Sequence, residues 1–142
     1  MEYSRRDLAL LPLLAAASAS TASAAGTPLP SKTYLFEDLP VKTNGQNRSR
    51  AVLDGETHSG FAIDMHMTEL GPGEAPHPAH HHAHEEMVMI HEGTLEVTIS
   101  GRGVKLGPGS TAYVASNEEH GWRNAGTTRA LYFVLTLGRV KS

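Results

Sequence analysis

Beyond residue 24 this chain has no segment of helical period, only short alternating runs cut by glycine and proline. Phe61, Ile63, Met65 and Met67 alternate with Ala62, Asp64, His66 and Thr68, the pattern of a strand, and Gly71-Pro72-Gly73 ends it. Met87 to His91 predicts a second strand. Glu92-Gly93 then reads as a two-residue hairpin turn, with Leu95, Val97 and Ile99 on the antiparallel partner. Gly101-Arg102-Gly103 and Gly107-Pro108-Gly109 set off two brief strands, Val104–Leu106 and Thr111–Ala115. His120–Arg123 and Ala130–Leu137 follow. About eight short strands at regular spacing specify an all-β sandwich or barrel.

The opening residues have a different character. Ser4-Arg5-Arg6-Asp7-Leu8, an apolar run to Ala17 and the exit Ala22-Ser23-Ala24 are the charged, apolar and cleavage parts of an export signal. The apolar part falls short of the about 20 residues that a membrane span needs. The paired arginines resemble the twin-arginine type of bacterial signal, which implies export of an already folded protein to the periplasm. Residues 1–24 are therefore expected to be cleaved. Residues 25–56 carry Pro28, Pro30, Pro40 and a polar run from Lys42 to Arg50; they predict an arm with short edge strands near Tyr34–Phe36 and Ala51–Leu53. The barrel is expected over 57–142. A formal charge of −3 excludes the basic balance of a nucleic-acid or membrane-surface binder. Without cysteine, disulfides and thiolate ligands are excluded too.

The chemistry concentrates in His80 to Gly93, H-H-H-A-H-E-E-M-V-M-I-H-E-G. In an extended backbone His80, His82 and His84 share one face. Imidazoles and a carboxylate converging there suit a divalent transition metal, although a His-rich tract alone also fits casual metal pick-up at a surface. Beyond Gly109, His120 stands between a polar loop and a strand. The two stretches resemble the paired motifs of the cupin superfamily. His80, His82, Glu86 and Gly93 fall on the first, G-x5-H-x-H-x3–4-E-x6-G. Gly109, Ala115, Asn117, His120 and Asn124 fall on the second, G-x5-P-x-G-x2-H-x3-N. Three positions depart from the pattern. Glu74 stands at the opening glycine, with Gly73 beside it to serve the turn, and Ala115 replaces proline. Asn117 replaces a glycine, and asparagine is the next most tolerant residue of left-handed backbone.

The resemblance implies a double-stranded β-helix, or jelly-roll barrel, in which His80, His82, Glu86 and His120 bind a divalent metal. Mn or Fe is expected first, and Zn, Ni, Co or Cu also suit three imidazoles and a carboxylate. If octahedral, the ion would keep two positions for water, substrate or dioxygen. The implied function is a dioxygenase-type oxidation of a small oxygen-bearing substrate. Oxygen-independent isomerase, lyase or decarboxylase chemistry and non-catalytic binding of a ligand or metal are the alternatives. A homodimer joined through strand edges is also implied.

Around this set, His84 reads either as a hydrogen-bond partner of Glu86 or as an exposed histidine, and His77 and His81 as surface residues. The face carrying Asp64, His66 and Thr68 is a pocket wall or the solvent side. Trp122 should point with His120 into the pocket. Met65, Met67, Met87 and Met89 read as packing residues, and Tyr113 as core or cavity. Glu118 and Glu119 read as a solvated loop, so no acid or base outside the ligand set stands out.

Overall fold

The computed structural model describes residues 27–139; the segment expected to direct export lies outside them. The described chain is β throughout apart from one 3₁₀ turn at Phe36–Asp38. Its strands are β1 (Val41–Asn44), β2 (Asn47–Glu56), β3 (Phe61–Leu70), β4 (Glu85–Glu92), β5 (Leu95–Ile99), β6 (Arg102–Leu106), β7 (Thr111–Val114), β8 (His120–Asn124) and β9 (Ala130–Arg139). They form a six-stranded sheet in the order β1-β2-β3-β9-β4-β7 and a three-stranded sheet in the order β6-β5-β8, every pair antiparallel. Two such sheets packed over one core make the jelly roll that the strand pattern and the motifs anticipate.

Alternation decides which side of the large sheet meets the small one. Cross-strand partners share a face. Val88 with Val134, and Ile90 with Tyr132, therefore point together toward Leu95, Val97 and Trp122, and these residues form the buried core. Each fully buried aliphatic side chain there contributes about 1.5–3 kcal/mol. Two residues nearer the start of β4 the same inner face turns polar. Asp54, Asp64, Thr136 and Glu86 are successive partners across β2, β3, β9 and β4.

The opposite face of the large sheet is apolar as well. Leu53, Met65, Leu135, Met87 and Tyr113 form one row across five strands. Met87 and Tyr113 are 37% and 56% exposed. Met65, Met67, Met87 and Met89 all lie on this outer face, where Met67 is buried as a packing residue and Met87 is exposed, and Tyr113 belongs to neither core nor cavity.

Several local expectations need correction. β4 and β5 are not hairpin partners: β4 pairs with β7 and β9, and β5 with β6 and β8. Gly93 instead carries the chain from one sheet to the other. Its φ is +78°, and a Cβ there would lie 2.7 Å from Ala130 Cα, so the crossing is too close for a side chain. The tight hairpin comes next, from β5 to β6 through Ser100 and Gly101, both at positive φ. In the N-terminal arm, Phe36 enters the 3₁₀ turn and does not join an edge strand. The polar run from Lys42 to Arg50 supplies most of β1 and the first four residues of a ten-residue β2, which pairs with β3 across a bulge between Ala51 and Leu53.

Candidate metal centre

The segment bearing the first histidines is not a strand. It is strapped to the entry of β8 through the backbone. His80 and His120 exchange N–H···O bonds of 2.9 Å in both directions, and the Asn117 N–H donates to the His82 carbonyl at 2.7 Å. The Ser116 hydroxyl donates to the Ala83 carbonyl at 2.7 Å. Asn117 holds its place in the left-handed region, φ 61°, as its position in the motif anticipates. Gly121 lets the strand close on the loop, since a Cβ there would meet Ala79 Cα at 3.1 Å. Asn124 fastens the far end. It is fully buried; its amide donates to the carbonyls of Leu70 (3.0 Å) and Thr128 (2.7 Å), and its oxygen accepts from the Gly126 N–H (2.9 Å).

These straps gather three imidazoles. The ring centroids of His80 and His82 are 5.0 Å apart, and each is 4.8 Å from that of His120. One nitrogen from each ring lies within 4.8 Å of the others, so the trio could hold an ion. Glu86 joins from β4, with Oε2 2.9 Å from His120 Nε2 and 3.6 Å from His82 Nε2. His82 Nδ1 donates to the His84 carbonyl at 2.9 Å, and His120 Nδ1 to the Glu118 carbonyl at 2.8 Å. A carbonyl only accepts, so each Nδ1 carries a proton, and in the neutral ring it is Nε2 that offers the lone pair. A buried carboxylate facing two such lone pairs is repelled unless a proton or a cation sits between them.

His80 Nδ1 is buried without a hydrogen-bond partner. Burial, and then the neighbouring rings of His77, His120 and His82, hold the His80 pKa below the ordinary imidazole value and keep the ring neutral for ligation. Imidazole nitrogens with one carboxylate and no sulfur fit a divalent transition metal. The four residues singled out by the motifs do come together.

His84 takes neither of its expected roles. Its ring lies on that of His82, centroids 3.5 Å apart and 13° from parallel. With His82 and Glu86 it forms a second group of ligand atoms within 4.8 Å of one another. Burial, and then His82, lower its pKa. His81 and His77 are exposed as expected, although His77 stands edge-on to His80 at 4.3 Å. Trp122 stacks on His120, centroids 5.9 Å apart, and joins it to the core. Glu118 serves through its carbonyl, while its carboxylate accepts from the Ser100 hydroxyl at 2.8 Å.

An open cleft of about 1100 Å³ adjoins the cluster; Asp54, Asp64, Glu85 and Thr136 line it, and His84 is the one histidine that reaches it. Sequence reasoning put Asp64 and His66 on one face of the strand but not in contact with each other. His66 is the cross-strand partner of the core residue Val134, so it faces inward, and its Nδ1 lies 3.1 Å from Asp64 Oδ1. The alternation along β3 was the available signal, and it did not say which side was which.

A family model described as the cupin domain matches residues 66–136, half of the chain. The chain is a cupin. No curated protein matches it in sequence. KdgF from Halomonas sp. is 15% identical to this cupin, with a TM-score of 0.68 over 79% of this chain and 97% of that one. An RmlC-like cupin from Shewanella frigidimarina is 16% identical, with a TM-score of 0.64 over 79% and 95%. A predicted oxalate decarboxylase from Thermotoga maritima is 17% identical, with a TM-score of 0.64 over 77% and 100%. At these identities the likeness is one of fold.

Proposed function

We propose that this cupin is an exported, metal-dependent oxidoreductase of the dioxygenase type, acting on a small oxygen-bearing organic substrate. The observation that carries the reading is the buried Glu86 carboxylate facing Nε2 of His82 and His120, with His80 beside them. These four residues would hold the ion, Mn or Fe ahead of Zn, Ni, Co or Cu. Such an ion, when bound, supplies a Lewis acid and, for Mn or Fe, a redox-active centre.

The chain's own part is orientation. The carbonyls of His84 and Glu118 fix the tautomers of His82 and His120, so both rings present Nε2 without rearrangement. Trp122 and the aliphatic core behind it keep water from the inner side. Asp64 Oδ1 stands 3.1 Å from His66 Nδ1 and fixes that ring on the inner face of β3. Oxygen uptake tests the reading. Protein loaded with Mn or Fe is expected to consume oxygen with at least one member of a panel of enediols, diketones and phenolics, and no uptake across the panel would overturn it.

Solved structures of the same fold include a polyketide cyclase, a sugar phosphate isomerase and a predicted oxalate decarboxylase. They favour oxygen-independent chemistry as the second reading, selected if turnover runs at equal rates under anaerobic conditions. Arg5-Arg6 and the apolar run after them support a periplasmic location. The exposed outer row through Leu135, Met87 and Tyr113 supports a homodimer joined across that sheet face.

A further inference from the structure

We propose that the barrel carries a second binding site, for a small oxyanion of the phosphate type, in the hollow between the β1–β2 hairpin and the turn that follows β3. The site stands apart from the metal centre and from the reading built on it. The cleft beside the metal centre is lined by the first residues of β3, Phe61 to Asp64, and the hollow by Thr68 and Leu70 near its end. The hollow has a volume of about 170 Å³, far more than one water requires. Register explains why polar groups collect there. Lys42, Ser49 and Thr68 are successive partners across β1, β2 and β3, in line with the core residue Tyr132 on β9. All four share the inner face, so the row leaves the core beyond Tyr132 and ends in an ammonium group. Thr68 lines the hollow from its buried side, only 7% exposed, and its hydroxyl can donate to an anion.

The frame is braced by hydrogen bonds. Asn47 Nδ2 donates to the Ala75 carbonyl at 3.4 Å, and Asn47 Oδ1 accepts from the Gly71 N–H at 3.3 Å. Arg129 Nη1 donates to the Gln46 carbonyl at 2.9 Å and so holds the tip of the hairpin. The walls are therefore set before a ligand arrives, which lowers the ordering cost of binding. Charge favours an anion. Arg48, which borders the hollow, shares the carboxylate of Glu69 with Arg50 and Arg129. Three guanidinium groups on one carboxylate leave an excess of positive charge, and Lys42 adds to it from the inner side. Positive potential focused in a concave site raises the local concentration of anions. Lys42, Ser49, Thr68 and the amide of Asn44 stand on different walls. Donors spread in this way fit a tetrahedral group, whereas a carboxylate is matched by the planar fork of one arginine.

The test is titration calorimetry of inorganic phosphate on the full chain, as isolated and after treatment with a chelator. Phosphate is expected to bind with a dissociation constant of about 1 mM or below, and to keep binding after the chelator. Lys42→Ala, on an exposed edge strand where the fold does not depend on it, is expected to weaken binding by at least about tenfold. Thr68→Val keeps the shape, removes the hydroxyl, and is expected to weaken it by at least about threefold. Arg102→Ala takes away an exposed cation on β6, in the other sheet, and is expected to leave the constant within about twofold. An unsubstituted protein that binds no phosphate would overturn the inference. Binding abolished by the chelator would overturn it too, because the phosphate would then sit on the metal. Equal weakening by Lys42→Ala and Arg102→Ala would reduce it to a general attraction between charges and overturn it as well. None of these outcomes bears on oxygen uptake, by which the metal reading stands or falls.

Discussion

Glu86 Oε2 stands 2.9 Å from His120 Nε2, and both side chains are buried. The two residues come from different sheets and are 34 positions apart in the chain. His120 Nδ1 already donates to the Glu118 carbonyl, so either a second proton on the ring or a cation must face the Glu86 carboxylate at the centre of the barrel.

Glu86→Gln keeps the shape and removes that charge. The affinity for Mn(II), measured by titration calorimetry, is expected to fall by at least about tenfold. The far-UV circular dichroism should stay that of the unsubstituted protein, and an unchanged affinity would remove Glu86 from the ligand set.

Asn124→Ala removes three hydrogen bonds and leaves the carbonyls of Leu70 and Thr128 and the Gly126 N–H without their partner. A buried polar group left alone costs about 1–3 kcal/mol. Urea unfolding should show a loss of about 3–5 kcal/mol, the lower part of that sum because Gly126 and Thr128 lie nearer water. A loss below about 1 kcal/mol would mean that solvent replaces the amide freely.

Gly93 and Gly101 share φ +78° but not surroundings. A Cβ at Gly93 meets Ala130 Cα and the Arg129 carbonyl oxygen within 2.8 Å, while nothing lies within 4 Å at Gly101. Gly101→Ala is expected to cost about 1–2 kcal/mol from backbone strain alone. Gly93→Ala should cost about 2 kcal/mol more, because the chain crossing must shift. Equal melting temperatures for the two variants would contradict this account of the crossing.

Met87→Glu places a charge in the middle of the exposed outer row. If that face joins two copies, sedimentation should show a dimer turning into a monomer. Val104→Glu, at a still more exposed position on the edge strand β6 of the other sheet, should leave the assembly alone. Two variants that behave alike would argue against a dimer across this face.

Much of the barrel could be read from the chain because its signals are local. The alternation along Phe61–Met67 and Leu95–Ile99 marks strands whatever they pair with, and the spacing of His80, His82, Glu86 and His120 is a property of the motifs. Partner choice is not local. Met87–His91 and Leu95–Ile99 are separated by a turn that fits a hairpin, yet their partners are β9 and β8, each brought back from more than twenty residues further on. The same holds for sides. Met65 and His66 alternate identically in sequence, and only the second sheet, packed against Val88 and Val134, decides that His66 looks inward and Met65 outward. His84 was ambiguous for a related reason: its stacking on His82 depends on a loop conformation set by Ser116 and Asn117.

The paired backbone bonds between His80 and His120 close a loop of about forty residues, and joining its ends opposes folding by roughly 3 kcal/mol of chain entropy. An ion gripping both side chains would lock that closure as a disulfide would, in a chain that has no cysteine to do so. Held by Glu86 of β4 as well, it would act as a clasp between the two sheets, and neither could peel away without first unfastening it. The melting temperature of such a protein would then track the free ion concentration around it instead of being fixed by the polypeptide alone.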